Sequence, residues 1–444
     1  MSTTLAAGAE LDFSLAQQLT VIALCALTAF IAHMALAVFN DGVRPFLLDF
    51  IQGRTTRSAT TAVSFGLSAG FIFGLGAPMA LSTGVLNPWL LFLPTDILGM
   101  LSPKKWLAPI LGGAWGAVVV FGLNGANNIA HDLPVDFLTA MQQMSTPILF
   151  LFTLFPMLAI TKQFGRKWGG VAGVVEVALV VMTMKLWPNM FAGALAMAVG
   201  VLMLIGLAVS KDLRQRRADR ASGAVEEATG DDPMASLFSA SAARLRKYLP
   251  LFMLLGAGVC VLAQMHIFGG GEATSFLIAK GQYAEAAQVD FYRVFGFIPL
   301  IATTALASGA YGIAGFTLVY PIGYLMPNPF LAAVVGALVF AVEVLALSWI
   351  GKVLGKLPSV RDSSEHLRSA IGDTLQLAIL FGSLMAANAM GGGLGILVVG
   401  GLYLLNESMG RPVVRMAAAP AAVIIGGVLL NVLYWLDLFT PVKG

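Results

Sequence analysis

Charge is scarce in this chain. Asp, Glu, Lys and Arg make up only 11% of its 444 residues, against 58% hydrophobic residues. A soluble domain of that composition could not cover itself in water. The scarcity therefore excludes a soluble globular protein and leaves a polytopic protein of the lipid bilayer. Histidine and cysteine are scarcer still, at four and two. His33, His131, His266 and His366 are scattered, and Cys25 and Cys260 read as small buried hydrophobes in mid-span. HExxH, CxxC, Walker A and GxSxG patterns are all missing. No catalytic cluster, metal site or cofactor is expected, and the chain is expected not to be an enzyme. The net charge of +3 comes without a basic stripe interleaved with aromatics, so nucleic acid is not an expected partner. Lys and Arg are also missing from the first sixteen residues, so the first apolar run is expected to be an uncleaved span rather than a signal peptide.

What is there is apolar run after apolar run. Fourteen of them, from about 17–39 to about 415–437, predict an all-α polytopic membrane protein of about 12–14 transmembrane or re-entrant helices. The basic residues support the spacing. Arg44, Arg54 and Arg57, then Lys104 and Lys105, then Lys162, Arg166 and Lys167 all fall on one side of this reading. So do Lys352, Lys356, Arg411 and Arg415, and that side is cytoplasmic by the positive-inside rule. Residues 211–247 carry both charge signs ("RADRASGAVEEATGDDP") and read as a cytoplasmic linker. They separate a first membrane half, 1–210, from a second, 248–444, each of about seven spans. An odd number per half leaves an inverted repeat open.

Three echoes between the halves are visible. "LNPWL" (86–90) resembles "PNPFL" (327–331), and "NDGVRP" (40–45) resembles "NESMGRP" (406–412). "SFGLSAGFIFGLGAP" (64–78) shares its small residues with "PLIATTALASGAYGIAGFTLVYP" (299–321). The first two pairs have the same predicted orientation, which fits a parallel relation. The symmetry class therefore stays open at this point.

Polar groups inside apolar runs cost several kcal/mol unless they find a partner or a wet cavity, so they mark candidate sites. Asn87 and Asn328 each precede proline, where a broken helix frees backbone groups for substrate; the plainer reading is a kink. Thr303 and Thr304 offer hydroxyls beside glycines, and they complete the expected substrate-binding set. Asp96, after Pro94, and Glu343, the sixteenth residue of "NPFLAAVVGALVFAVEVLAL", are candidates for ion or proton coupling. Glu176 ranks behind them. Asp41 with Arg44, and Glu407 with Arg411, have one-turn spacing and read as a gate or anion clamp, with a weak surface pair as the alternative.

"FNDGVRP", "NPWLLFLPTDILG", "GFIPLIATTALASGAYGIAGFTLVY", "LNESMGRPV" and "LLNVLYWLDLF" together resemble the YhfT family of bacterial inner-membrane proteins, over about residues 20–440. The resemblance implies a multi-pass protein of the bacterial inner membrane and a presumed transporter. The leading expectation is thus a permease for a small polar or anionic metabolite, coupled to H⁺ or Na⁺. The membrane component of a phosphotransferase-type uptake system is the runner-up, and an integral-membrane enzyme ranks below it. A homo-oligomer is compatible with all three.

Overall fold

A computed structural model describes residues 11–40, 43–51, 53–187, 192–221, 233–413 and 415–441. The chain begins with α1 (Leu15–His33), the extended step β1 (Ala37–Val38), α2 (Arg44–Ile51) and α3 (Arg57–Phe71). A π-helical stretch, Ile72–Gly76, leads into α4 (Ala77–Thr83), followed by α5 (Pro88–Leu101) and α6 (Leu107–His131). Next come α7 (Phe137–Met141), α8 (Ser145–Phe152), α9 (Phe155–Phe164), α10 (Arg166–Leu186) and α11 (Ala194–Ala221). α12 (Pro233–Lys247) meets α13 (Leu249–Gln264) at a 71° bend. After them lie α14 (Glu272–Ala279), α15 (Tyr283–Ser308), the step β2 (Tyr311–Gly312), α16 (Val319–Leu325), α17 (Pro329–Lys356), α18 (Pro358–Ser408) and α19 (Arg415–Trp435).

Eight helices among the described residues are long and apolar enough to cross a membrane, or nine if a bent pair makes one span. The protein is all-α and polytopic. Of the other expected runs, the one near 292–309 lies in the continuous α15, and the rest are discontinuous. α5 has 14 residues, about 21 Å, and cannot cross a hydrocarbon core of about 30 Å. α18 is the opposite case. Its 51 residues would stretch about 76 Å if straight. Gly391 and Gly392 leave helical geometry, and a Cβ on Gly395 would lie 2.0 Å from the Ala387 oxygen. Residues eight apart along a straight helix are about 12 Å apart, so α18 is a hairpin turning at the three glycines 391–393. The linker expected over 211–247 is helical at both ends, within α11 and α12; residues 222–232 lie outside the described residues.

Two units, 15–131 and 249–356, run through the same order of elements. Each has a long helix, an extended step, an eight-residue helix, a long helix, a second step, a short helix and a long helix. Left-handed Ala35 (φ 52°) and His266 (φ 57°) open the first steps. Left-handed Gly84 and Gly309 close the helices before the second steps. A hydroxyl precedes each of these glycines and takes the same hydrogen bond, Val85 N–H to Thr83 Oγ1 (3.2 Å) and Ala310 N–H to Ser308 Oγ (3.2 Å). The long helices meet alike. A Cβ on Gly112 of α6 would lie 2.2 Å from the Cys25 oxygen of α1, and one on Gly336 of α17 would lie 2.4 Å from the Gly256 oxygen of α13.

The units cross reciprocally. β1 pairs in parallel with β2, and Leu86 bridges in parallel to Phe268. Leu86 N–H donates to the Ile267 oxygen (2.8 Å), as Tyr311 N–H donates to the Leu36 oxygen (2.8 Å). The Asn-Pro echo is not part of this correspondence. Asn87 caps the short helix α5, whereas Asn328 precedes the long helix α17. "NDGVRP" follows a step, whereas "NESMGRP" ends α18. The echo that does correspond is "ALSTG" (80–84) with "ALASG" (305–309), 225 positions apart. Beside the units, α8, α9, α11 and α19 pack on the α18 hairpin as a second bundle.

Candidate functional site

An extended step inside a helical membrane protein exposes backbone groups that hydrocarbon cannot satisfy, so it must be buried in protein or face a wet cavity. Both residues of β1 and of β2 are buried. Three buried carboxylates stand beside the extended steps: Asp96 at the end of β1, Glu343 against β2, and Asp290 beside the step after α13.

Glu343 projects from α17. Its Oε2 accepts from the Tyr311 hydroxyl of β2 (2.5 Å) and from Phe316 N–H (2.8 Å). The loop after β2 closes over it. Gly315 is left-handed, and a Cβ there would lie 2.3 Å from Oε2, so this backbone can lie on the carboxylate only as glycine. Arg44, buried at the start of α2, reaches the same neighbourhood. Its Nη1 donates to Thr304 Oγ1 on α15, and its Nη2 would be 3.0 Å from a Cβ on Gly312 of β2. The structure thus gathers Glu343, Arg44 and Thr304 around β2. Asp41 lies outside the described residues, as does the side chain of Thr303.

Asp96 is the first unit's carboxylate. α5 carries it inward, where Oδ2 accepts from Phe39 N–H (2.8 Å) and Asn40 N–H (3.1 Å), the first amides after β1. Asn40 Nδ2 donates on to Ser68 Oγ (2.9 Å). Next to Asp96, Thr95 Oγ1 accepts from Thr28 Oγ1 of α1 (2.9 Å). Asn87 is committed elsewhere. Its Oδ1 caps Leu90 N–H (3.0 Å), and its Nδ2 donates to the Gly76 oxygen (2.8 Å) at the end of the π-helical stretch. This geometry makes Asn87 the pivot between two broken helices.

A third centre was not expected from the sequence. Asp290, on α15, is fully buried. Its Oδ2 accepts from the Tyr324 hydroxyl of α16 (2.8 Å), and that hydroxyl accepts from Gly270 N–H (2.8 Å). Arg293, one turn along α15, has Nη2 3.1 Å from Asp290 Oδ1 and donates to the Gly270 oxygen (2.9 Å). The Asp-x-x-R spacing that singled out Asp41 and Arg44 also occurs here, at the head of an apolar run, and would have found the pair.

The remaining expected residues lie apart. Asn328 is exposed, and its Oδ1 accepts from Leu331 N–H (2.9 Å) at the start of α17. Glu407 does pair with Arg411 (2.9 Å), and Arg415 joins it through two bonds of 2.7 and 2.8 Å. Its carboxylate therefore ties α18 to α19, and both guanidinium groups are engaged. Glu176 is buried where α10 meets α11; a Cβ on Gly200 would lie 2.4 Å from its Oε1. Among the described residues, no three His, Cys, Asp or Glu are grouped to hold a metal ion.

A family model, YhfT, described as a protein of unknown function, matches residues 17–439. An Escherichia coli (strain K12) relative, named as an uncharacterized protein YhfT, is 42% identical over 437 residues. The match covers 96% of this chain and 99% of that protein. No solved structure matches.

Proposed function

The chain belongs to the YhfT family, and we propose that it is a secondary transporter of a bacterial inner membrane, moving a small polar or anionic metabolite with H⁺ or Na⁺. One observation carries the reading. The two units cross through buried extended steps, and a buried carboxylate stands beside three of those steps. Keeping carboxylates at such a place is expensive, and proteins that do so use them for ions or substrates. Broken helices crossing near the midplane are how many secondary transporters build such sites.

The basic residues support opposite orientations of the two units. Arg44, Arg54 and Arg57 follow α1, whereas Arg244, Arg246 and Lys247 precede α13. Lys104 and Lys105 precede α6, whereas Lys352 and Lys356 end α17. With all of these in the cytoplasm, equivalent helices run in opposite directions. This is the inverted-topology arrangement in which one unit can adopt the conformation of the other, opening the site to each side in turn. Glu343 and Asp96 are the coupling residues in this reading, with Arg44 and Thr304 at the substrate.

The test is uptake into proteoliposomes. A labelled metabolite library is presented under an imposed H⁺ or Na⁺ gradient. The expected result is gradient-driven uptake that Glu343→Gln and Asp96→Asn abolish, while size-exclusion profiles stay unchanged. Uptake indifferent to both substitutions, or no uptake of any compound by the native chain, sinks the reading.

A further inference from the structure

We propose that Asp290 and Arg293 form a proton-gated site for the carboxylate of a small organic anion. Protonation of Asp290 releases Arg293, and the anion takes the place of Asp290 on the guanidinium. The proposal rests on the transporter reading and goes beyond it, by adding a second centre, apart from Glu343, Asp96, Arg44 and Thr304, that takes a carboxylate together with a proton.

The pair is unevenly held. Asp290 has no exposure, and the Arg293 side chain keeps 11%. Arg293 Nη2 donates to Gly270 O and lies 3.1 Å from Asp290 Oδ1, an oxygen that accepts no hydrogen bond among the described residues. Its Nε is buried without a hydrogen-bond partner, and its Nη1 makes no hydrogen bond among the described residues. A guanidinium has five donors in a planar fork suited to a carboxylate, so most of this fork is unused. A second orphan faces the pair. The Tyr320 hydroxyl is buried without a partner and lies within electrostatic reach of both Arg293 and Asp290. It is a donor that a bound carboxylate can use.

The surroundings keep the guanidinium approachable. Residues 269–271 are three glycines. A Cβ on Gly270 would lie 2.5 Å from Asp290 Oδ2, and one on Gly271 would lie 2.2 Å from Arg293 Nη1. Side chains there would press on the pair. Their absence leaves the backbone of the step as its wall.

A purely structural strut is the competing account, since Arg293 and Tyr324 both grip Gly270. A buried ion pair is a poor strut, however, because desolvation consumes most of its attraction. The pair has a sharper chemical consequence. Neutralising Asp290 leaves a buried guanidinium without its counter-charge, a strongly unfavourable state that an anion relieves. One proton and one anion then enter together, and the net charge of the site is unchanged.

Other titratable groups face the pair. Tyr320 and Tyr324 come from α16. His266, in the step, shares its Nε2 with the Tyr324 backbone oxygen (3.0 Å) and stacks on Tyr283 at 3.6 Å. Thr274 is the uncharged neighbour from α14, and the side chain of Glu272 lies outside the described residues. Imidazole is the side-chain type that ordinarily changes charge between pH 5 and 8, so His266 needs its own control.

The full chain in detergent is titrated with acetate, lactate and succinate between pH 5.5 and 8, with binding read by calorimetry and thermal shift. The expected result is binding of at least one anion that weakens with rising pH, by up to about tenfold per pH unit for one linked proton. Asp290→Asn binds equally well across the range. Arg293→Gln loses binding. Arg293→Lys, which keeps the charge and loses the fork, binds at least tenfold more weakly. His266→Asn keeps the native pH profile. Native pH dependence in Asp290→Asn, its loss in His266→Asn, or no binding of any of the three anions at pH 5.5 overturns the proposal. Binding with this mutant pattern but no gradient-driven uptake leaves the site standing and sinks the transport reading. Gradient-driven uptake with binding insensitive to Asp290 and Arg293 does the reverse.

Discussion

Gly315→Ala tests how tightly the loop after β2 is laid on Glu343. The wild-type residue sits at φ +52°, and a left-handed backbone at a residue bearing Cβ costs about 1–2 kcal/mol. The new methyl would stand 2.3 Å from Glu343 Oε2 and 2.9 Å from the Phe340 ring. Neither distance is tolerable, so the carboxylate or the loop must move. Either movement strains the bonds from Tyr311 and from Phe316 N–H, worth about 1–3 kcal/mol each depending on charge. The sum is roughly 3–8 kcal/mol. For a chain this long, at about 1–2 °C per kcal/mol by extrapolation of size scaling, the apparent melting temperature falls by about 3–16 °C. The assay is a tryptophan-fluorescence melt in detergent at one fixed scan rate, since unfolding of such proteins is seldom reversible. A second variant isolates the contact. Glu343→Ala removes the colliding carboxylate, so the double variant should be less destabilised than the sum of the singles, by about 0.5–3 kcal/mol. Strict additivity, or a native-like melt for Gly315→Ala, would refute the described seating of Glu343.

The equivalence of the two units is checked by a matched pair. Gly112→Ala and Gly336→Ala each drive a Cβ onto a backbone oxygen, at 2.2 and 2.4 Å, so both should lower the melting temperature, and by similar amounts; a large loss in one and none in the other would contradict equivalent packing. Arg244 of α12 donates to the Gly309 oxygen (2.7 Å) and to the Met34 oxygen (3.1 Å), and so pins the helix ends of both units. Arg244→Ala, at about 1.5–3 kcal/mol per charged bond lost, should speed tryptic cleavage at Arg246 and Lys247, and an unchanged digest would count against that pin.

Much of the fold was readable because membrane burial writes itself into composition. The long spans follow from hydropathy. The correspondence between units was not readable. It depends on backbone conformation at Gly84 and Gly309, on a hydroxyl before each, and on pairing between residues 181 to 275 positions apart. Only "ALSTG" and "ALASG" keep a trace of it in letters, while the longer Asn-Pro echo points to places that are not equivalent. Glu343, Asp96, Arg44 and Thr304 were legible because polar side chains stand out in apolar runs. Asp290 and Arg293 were passed over, although their one-turn spacing stands in the sequence. The apolar run there begins near residue 292, so Asp290 reads as lying outside it, whereas α15 starts at Tyr283. The roles of Asn87 and Glu407 were hidden for another reason. Their partners, Gly76 O and Arg415, are set by tertiary contact and by a helix-to-helix connection rather than by spacing within one helix.

The reciprocal crossing also sets a timetable for biogenesis. Leu36 finds its amide partner on Tyr311, 275 residues later, which at about 5–20 residues per second is roughly 14–55 s of synthesis. Until then the first unit carries an extended step whose carbonyl has no strand to meet, in a solvent where each unpaired backbone group costs several kcal/mol. The first unit must therefore wait beside water, lipid headgroups or the insertion machinery, and it completes its centre only when the second unit arrives. The two units are one folding event, and expressing either alone would leave that step open.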